Sequence, residues 1–417
     1  MNRTKLVSRT LARTIFKAMR TFPVITITGP RQSGKTTLMK MLFSKSHSYV
    51  SLEDPDIRIR AKEDPNGFLS QYRLPLIIDE IQYVPDLLSY IKTRIDENRR
   101  PGQWLLTGSQ HFALMQNITQ SLTGRTAVLY LLPFSMSERL NKGMNTKDVP
   151  AFLRVIKSHH LLTQKRAKFN LSLSECILRG FYPEIALNKQ VDRNLWCSSY
   201  ITTYLERDIR NLANIGDLNQ FERFVIACAI RTGQILNISD LARDIGISVP
   251  TARRWLSYLE AGNQVYLLYP YYKNIGKRIV KSPKLYFIDT ALCTYLLGLN
   301  DATTLLRSPH FGSIFETMVI GDFLKRFFHS AEKPSMYYLK TRDGLEVDLV
   351  IEYAGRLHLF EIKAQMTITP KHAAHLLRLL NELRQTVSTG SIISATEGNM
   401  VVKNNIINYA WNKLLPL

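Results

Sequence analysis

Five short apolar runs mark the first third of the chain: VITITG at 24–29, SYVSLE at 48–53, PLIID at 75–79, QWLLT at 103–107 and TAVLYLL at 126–132. Their length and lack of strict alternation predict buried strands, and the helical patterns between them predict a parallel sheet covered on both faces. Residues 150–235 read as mostly helical with few glycines, after a polar connection at 144–170. The segment ISDLARDIGISVPTARRWLSYLEA then has two amphipathic helices around Gly246. Ser239 is the expected cap of the first helix, and the second is expected over Val249–Ala261 with Trp255, Leu256 and Leu259 inward. QVYLLYPYY and KSPKLYFID after it predict a two-stranded wing. Near the end, GLEVDLVIEYAGRLHLFEIKA (344–364) predicts a hairpin turning at Ala354-Gly355.

Composition narrows the class. The 417 residues are enough for two or three domains, and 45% apolar with 21% charged residues is the balance of a folded chain. Lys and Arg number 55 against 34 Asp and Glu, a net charge of +21. That excess points to polyanionic partners, nucleic acid or nucleotides, with a merely basic surface as the alternative. Cys176, Cys197, Cys228 and Cys293 lack metal or disulfide spacing, and a reducing cytoplasm fits them. The longest apolar runs, such as FVIACAI between Arg223 and Arg231, are far short of a membrane span. The basic N-terminal stretch is expected to form a short helix packed on the first domain.

Candidate chemistry begins at Gly29. GPRQSGKT fits G-x-x-x-x-G-K-[ST] through Gly29, Gly34, Lys35 and Thr36, and it lies between a predicted strand and a predicted helix. Such a loop wraps phosphate oxygens with backbone N–H groups, its glycines allowing close approach, and the following helix turns its positive end to the anion. The phosphate-binding set is Gly29, Pro30, Arg31, Gln32, Ser33, Gly34, Lys35, Thr36 and Thr37. Lys35 is assigned to the β- and γ-phosphates and the Thr36 hydroxyl to Mg²⁺. LPLIIDEIQ supplies an acid at a strand end: Asp79 for Mg²⁺, and Glu80 to orient or deprotonate water. Thr107, Ser109 and Gln110 are candidate γ-phosphate sensors, with Ser109 chosen. Arg125 is either an arginine finger acting in trans or a surface charge.

TGPRQSGKTT, LIIDEIQ, LLTGSQ, SLTGR and LLPFS together resemble the prokaryotic AAA-type ATP-binding family with Walker motifs. RGFYPEI (179–185), TYLERDI (203–209) and KSPKLYFIDTAL (281–292) are similar to the domain of unknown function fused behind that ATPase. The resemblance covers most of the chain and implies ATP binding and hydrolysis. It implies no substrate. Arg207 in TYLERDI is either a contact to nucleotide or a neighbouring subunit, or a partner for Glu206 or Asp208.

The two helices around Gly246 pattern as a helix-turn-helix. Arg253 and Arg254 on the second helix, with Lys273, Lys277, Arg278 and Lys281 at the wing, are candidate DNA contacts. Interdomain packing is the alternative use. No set of base-reading Asn or Gln stands out, so weak sequence selectivity is expected.

In the C-terminal hairpin, a two-residue turn sets Asp348 opposite Glu361 and Glu346 opposite Lys363, with the four on one face. Leu345, Val347, Leu349, Ile351, Phe360 and Ile362 then form an apolar reverse face. Facing carboxylates suit a second Mg²⁺ or Mn²⁺, and Lys363 suits charge developing on an attacked phosphate. With Glu316 on the preceding helix, Glu316, Asp348 and Glu361-x-Lys363 resemble the PD-(D/E)xK nuclease superfamily. Valine precedes Asp348 where the motif has proline, and Gln365 is a candidate extension. A salt-bridged face including Glu346–Lys363, or a nuclease-like fold without activity, are the alternatives.

The expected architecture is α/β: a RecA-like P-loop NTPase domain over 1–145, a helical and winged-helix region over 146–284, and a small restriction-endonuclease-like α/β domain over 285–417. The expected function is Mg²⁺-dependent hydrolysis of ATP to ADP and phosphate, with nucleic acid as partner and homo-oligomers possible. The alternatives are an ATP-regulated, metal-dependent DNA nuclease and a non-catalytic nucleotide-sensing DNA-binding or interaction protein.

Overall fold

The computed structural model describes residues 6–108, 121–143, 147–158, 171–204, 218–272, 282–341, 344–383 and 386–417. Ser109, Gln110, Arg207, Lys273, Lys277, Arg278 and Lys281 lie outside the described residues.

Strands β1 (Val24–Thr28), β2 (Ser48–Ser51), β3 (Leu76–Asp79), β4 (Trp104–Gly108) and β5 (Thr126–Tyr130) form one parallel sheet in the order β2-β3-β4-β1-β5. β1, β3 and β4 are buried throughout because both sheet faces are covered, as their apolar runs require. On one face, Leu11 and Ile15 of helix α1 (Leu11–Ala18) and Leu38 of α2 (Lys35–Phe43) pack on Ile25, Ile27 and Leu105. On the other, Leu88 and Ile91 of α3 (Leu87–Glu97) join Ile78, Trp104 and Leu106. β4 lies between β1 and β3, so the loop after β1 and the acid ending β3 flank one strand end.

The chain leaves this sheet through the short helix α4 (Met136–Arg139). Beyond it, helices Leu173–Arg179, α5 (Pro183–Leu187), Arg193–Tyr204 and Leu218–Ile230 lead to α6 (Ile238–Ile245) and α7 (Val249–Ala261). Trp255, Leu256 and Leu259 of α7 are buried, Trp255 against Phe221 and Phe224. The α6 cap differs from the expected Ser239. Asn237 is the cap, its Oδ1 accepting from the Ser239 and Asp240 amides, so Ser239 lies one residue inside the helix. Gly246 turns the chain with φ 74°, and Ser248 caps α7. β6 (Gln234–Ile235), β7 (Val265–Leu268) and β8 (Lys284–Phe287) make a small antiparallel sheet with β8 in the middle. The expected division at 284/285 therefore falls inside β8.

The remainder is built on α8 (Phe311–His329). Beside it lies a six-stranded sheet of β9 (Met336–Lys340), β10 (Glu346–Tyr353), β11 (Arg356–Lys363), β12 (Val387–Ser394), β13 (Met400–Lys403) and β14 (Ile406–Ala410). The strand order is β13-β14-β12-β11-β10-β9. Helix α9 (Ala374–Glu382) covers its other face. A bridge between Pro270 and Tyr338, with Tyr271 N donating to Tyr338 O and Tyr338 N to Tyr269 O, stitches the end of β7 to β9.

The β10–β11 turn is the expected one: Ala354 (φ 49°) and Gly355 (φ 72°) both have positive φ, and Tyr353 pairs with Arg356. The single apolar face is not. The ladder with β11 ends at Leu349–Phe360, and the pairing of β10 with β9 shifts between Val347 and Val350. That irregularity swaps the faces. Leu349, Ile351, Phe360 and Ile362 pack under α8, whereas Leu345, Val347, Val350, Leu357 and Leu359 pack with α9. Both faces of the hairpin are core.

Candidate active site

The loop after β1 is shaped by its glycines. Gly29 has φ 146°, and a Cβ there would lie 2.2 Å from the Leu131 carbonyl oxygen. Gly34, φ 95°, is the left-handed N-cap of α2. Lys35, the first residue of that helix, is buried, and its Nζ donates to the carbonyls of Gly29 (3.0 Å) and Pro30 (2.9 Å). The hydroxyls of Ser33 and Thr28 are buried and make no hydrogen bond. Thr36 Oγ1 donates to Asp79 Oδ2 at 2.8 Å.

Asp79 gathers three hydroxyls: Thr36, Tyr49 (2.8 Å to Oδ2) and Thr107, which donates to Oδ1. Burial and the Asp79 carboxylate push the Tyr49 phenol upward, so it remains a donor. Thr107, at the end of β4, also accepts from the Glu80 amide at 3.3 Å. Thr107 thus stands beside both acids, and the other two sensor candidates, Ser109 and Gln110, lie outside the described residues. Glu80 stands in left-handed backbone (φ 57°), and Gln82 Nε2 donates to its carboxylate. A hydroxyl and a carboxylate in contact are hard oxygen donors that fit Mg²⁺, and the orphaned Ser33 hydroxyl fits a phosphate oxygen.

A cavity of about 390 Å³ opens beside the loop. Val7, Thr37, Met41, Phe134, Pro183 and Asn188 are among its lining residues, so four stretches of the chain close it. Pro183, the first residue of α5, reaches the phosphate-binding loop itself: a Cβ on Gly34 would lie 3.8 Å from Pro183 Cγ. Arg31 and Gln32 are on the outer part of the loop, with Gln32 exposed.

Arg125 is elsewhere. Its carbonyl accepts from Val24 N, at the start of β1, whereas the loop follows the end of that strand roughly 16 Å away. Its guanidinium is paired side-on with Asp96 of α3, Nε at 2.7 Å and Nη2 at 2.9 Å. Within its own chain Arg125 stands away from the loop, as the surface-charge alternative has it, and a finger acting in trans would serve the loop of a neighbouring copy.

A second concentration of charge joins α8 and the hairpin. Lys363 Nζ lies 2.6 Å from Glu361 and 3.7 Å from Asp348, and Asp348 Oδ2 accepts from Ile362 N at 2.8 Å. Glu346 does not meet Lys363. It pairs with Lys284 (2.8 Å) and Lys340 (3.2 Å), because the register shift in β10 turns it toward β8 and β9. Lys284 also lies 3.5 Å from Glu316 and 3.8 Å from Asp348, and Tyr286 donates to Glu316. Burial, then the neighbouring Asp348, pushes both Glu316 and Glu361 well above the ordinary carboxylate range. Burial opposes the charge of Lys284, but Glu316, Asp348 and Glu346 outweigh it and hold the ammonium charged.

Lys284 and Tyr286 escaped sequence analysis. Their signal, a lysine at the head of an apolar strand, is common and became meaningful only when β8 was placed beside α8. Gln365 is exposed just past β11. Arg253 and Arg254 are exposed on α7, on the side away from its buried Trp255. Among the described residues no helix is long and apolar enough to cross a membrane, and all four cysteines are free and buried.

The AAA domain family matches residues 21–140. Two domains of unknown function match behind it, DUF8612 over 170–303 and DUF4143 over 311–413. Among curated proteins, uncharacterized protein Rv2008c of Mycobacterium tuberculosis is 30% identical over 377 residues, 90% of this chain and 78% of that protein. Uncharacterized protein Mb2031c of Mycobacterium bovis matches to the same extent. Among solved structures, the Walker-type ATPase PABY2304 of Pyrococcus abyssi is 16% identical, with 71% of this chain and 97% of that one covered and a TM-score of 0.42. The RuvB Holliday junction branch migration motor of Thermotoga maritima is 16% identical, with 62% and 89% covered and a TM-score of 0.28. The chain belongs to the same family as the mycobacterial proteins, and its first domain is an ATP-binding AAA-type P-loop ATPase domain.

Proposed function

We propose that the chain hydrolyses ATP to ADP and phosphate at the loop after β1 and works with nucleic acid. The observation that carries the reading is the contact of Thr36 with Asp79, beside a buried Lys35. Lys35 leaves the carbonyls of Gly29 and Pro30 to bind β- and γ-phosphate oxygens, and the loop amides hold the rest of the phosphate chain. Thr36 and Asp79 hold Mg²⁺, whose role when bound is to neutralise charge on the phosphates. Glu80, fixed through its amide by Thr107 and through its carboxylate by Gln82, orients or deprotonates the attacking water. The cavity lined by Thr37, Phe134 and Pro183 accepts the base and sugar, which makes α5 part of the nucleotide site. Nucleic acid is supported by the net charge of +21 and the exposed Arg253 and Arg254 on α7, read as the second helix of a winged helix-turn-helix.

The test is ATP turnover with and without duplex DNA, for the wild type and Lys35→Ala. The proposal expects turnover that DNA changes and that Lys35→Ala abolishes. Turnover that survives Lys35→Ala removes the loop from the reaction, and indifference to DNA removes the partner.

A second reading is favoured by one observation, the convergence of Glu316, Asp348, Glu361 and Lys363 from α8 and the hairpin. It is a metal-dependent nuclease centre on a PD-(D/E)xK-like fold, under control of the ATPase domain. Plasmid nicking that requires Mn²⁺ and disappears in Asp348→Ala supports it, and the absence of cleavage across metals and substrates rules it out.

A further inference from the structure

We infer that Arg9 is a positioning residue of the phosphate-binding loop: its guanidinium holds the peptide between Ser33 and Gly34 so that the Gly34 N–H faces the phosphates. The inference rests on reading that loop as the nucleotide site. Arg9 lies two residues before α1, whose Leu11 and Ile15 are packed on the sheet, so the docking of that helix brings the side chain to the loop. It is 4% exposed, and each of its three nitrogens meets an oxygen. Nη1 donates to Ser33 O at 2.8 Å, Nη2 donates to Leu132 O at 2.6 Å, and Nε lies 3.2 Å from Glu138. The guanidinium carbon is 4.8 Å from the centre of the Phe134 ring.

The two carbonyls belong to opposite ends of the loop. Ser33 lies where it closes. Leu132 follows Leu131, whose amide donates to Thr28 O at 2.8 Å and whose carbonyl stands against Gly29, where the loop begins. One planar fork therefore ties the end of the loop to the backbone beside its start. A buried ion pair with Glu138 alone would require neither carbonyl. Lysine could keep the charge but not the fork, because an ammonium does not present donors in the fixed plane of a guanidinium.

In a trans peptide the C=O and the N–H point in opposite directions. With Ser33 O drawn to Arg9, the Gly34 N–H is turned to the other side of the loop. Rotated the other way, the same peptide would present a carbonyl oxygen to the phosphates and repel them. Gly34 permits the close approach: a Cβ there would lie 3.6 Å from Arg9 Nη1, and its φ of 95° is left-handed. Backbone amides of such a loop cradle the α- and β-phosphates. ATP and ADP share those groups, so the arginine acts on the binding of both.

The experiment uses the full chain with Mg²⁺ and ADP as the probe, as wild type, Arg9→Lys, Glu138→Gln, Arg9→Met/Glu138→Leu and Lys35→Ala. Calorimetry reads ADP affinity, and urea unfolding without nucleotide reads stability. The expected result is ADP binding ~10-fold weaker in Arg9→Lys and in the double variant, the size of one lost hydrogen bond. Glu138→Gln loses stability but leaves Arg9 on the loop with an oxygen for Nε, and it binds ADP as wild type does. Stability then follows the ion pair while affinity follows the arginine, a separation that a merely structural role would not produce. Wild-type ADP affinity in Arg9→Lys overturns the inference, and so does affinity that falls in step with stability through Glu138→Gln. If neither Arg9 variant folds, the side chain is structural and the inference fails. Lys35→Ala keeps the two claims apart. Wild-type ADP binding in Lys35→Ala removes the loop as the nucleotide site, and the inference falls with it. Binding lost in Lys35→Ala but untouched in Arg9→Lys removes the inference alone.

Discussion

The guanidinium of Arg9 donates to the carbonyl of Ser33, inside the phosphate-binding loop, at 2.8 Å. The same side chain donates to Leu132 O at 2.6 Å and lies 3.2 Å from Glu138, which is fully buried and 3.3 Å from His329 at the end of α8. Burial works against the Glu138 charge, but Arg9 and then His329 overcome it and hold the carboxyl far below its ordinary range. A continuous set of contacts therefore runs from the loop to α8, the helix that carries Glu316.

Breaking that set at one end leaves a buried charge without its counterpart. Glu138→Gln is expected to cost about 3–5 kcal/mol, the usual penalty for removing one member of a buried pair. Arg9→Met with Glu138→Leu is expected to recover part of it. Urea unfolding of the three variants measures both, and a Glu138→Gln loss below about 1 kcal/mol is incompatible with a buried pair.

Glu80 and Asp79 are expected to separate by role. Glu80→Gln keeps the shape and the Gln82 contact, so ATP affinity stays near that of wild type while kcat falls ~10²–10⁴-fold. Asp79→Asn is expected to remove the response of binding to Mg²⁺. Single-turnover and equilibrium binding measurements distinguish the two, and unchanged turnover in Glu80→Gln removes this residue from the reaction.

Lys325 supplies a pH test. It is 1% exposed, with its Nζ 4.0 Å from the Phe181 ring centre. Burial lowers it to about 8, against the pull of Asp289 and Asp322. Between pH 8 and 10.5 the unfolded chain keeps a proton on this lysine that the folded chain has released. The cost of burying the charge is thus complete below pH 8 and is relieved as pH rises toward 10.5. Relative to Lys325→Met, wild type is expected to gain ~1–2 kcal/mol between pH 7.5 and 9.5. Parallel urea midpoints at the two pH values read it, and a gap that stays constant or moves the other way contradicts the burial.

Arg253 and Arg254 test the nucleic-acid reading. Loss of both is expected to weaken duplex binding across sequences and to lower the slope of log affinity against log salt by about 1 for each phosphate contact removed. Fluorescence anisotropy over a salt series measures the slope. An unchanged slope assigns these arginines to solvent.

The ATPase sheet was legible because its signals are local. The loop at 29–36 is contiguous, and β1, β3 and β5 fall within the apolar runs that announced them, while β4 overruns its run by Gly108. The hairpin turn at Ala354-Gly355 was legible for the same reason, since two residues carry it. The shift between Val347 and Val350 has no local signature, and it redirected Glu346 from Lys363 to Lys284. Asn237 and Ser239 are both competent caps, and only backbone geometry chose between them. Arg9 sits in the basic N-terminal stretch, which was expected to pack on the first domain, but nothing local singles it out from the stretch's other arginines as the buried one. Its burial depends on Glu138 and Leu132, distant in sequence.

β8 has two neighbours in its own sheet and lends Lys284 to acids in the next one. Severing the chain at 284/285 would split the central strand of the small sheet and leave β6 and β7 with no strand to join them. The downstream fragment would lose Lys284 from among its carboxylates, and β9 would lose the bridge from Pro270. The middle and last regions, though matched as separate families, are one indivisible object for expression and crystallisation, and fragments of either inherit raw edges and uncompensated charge.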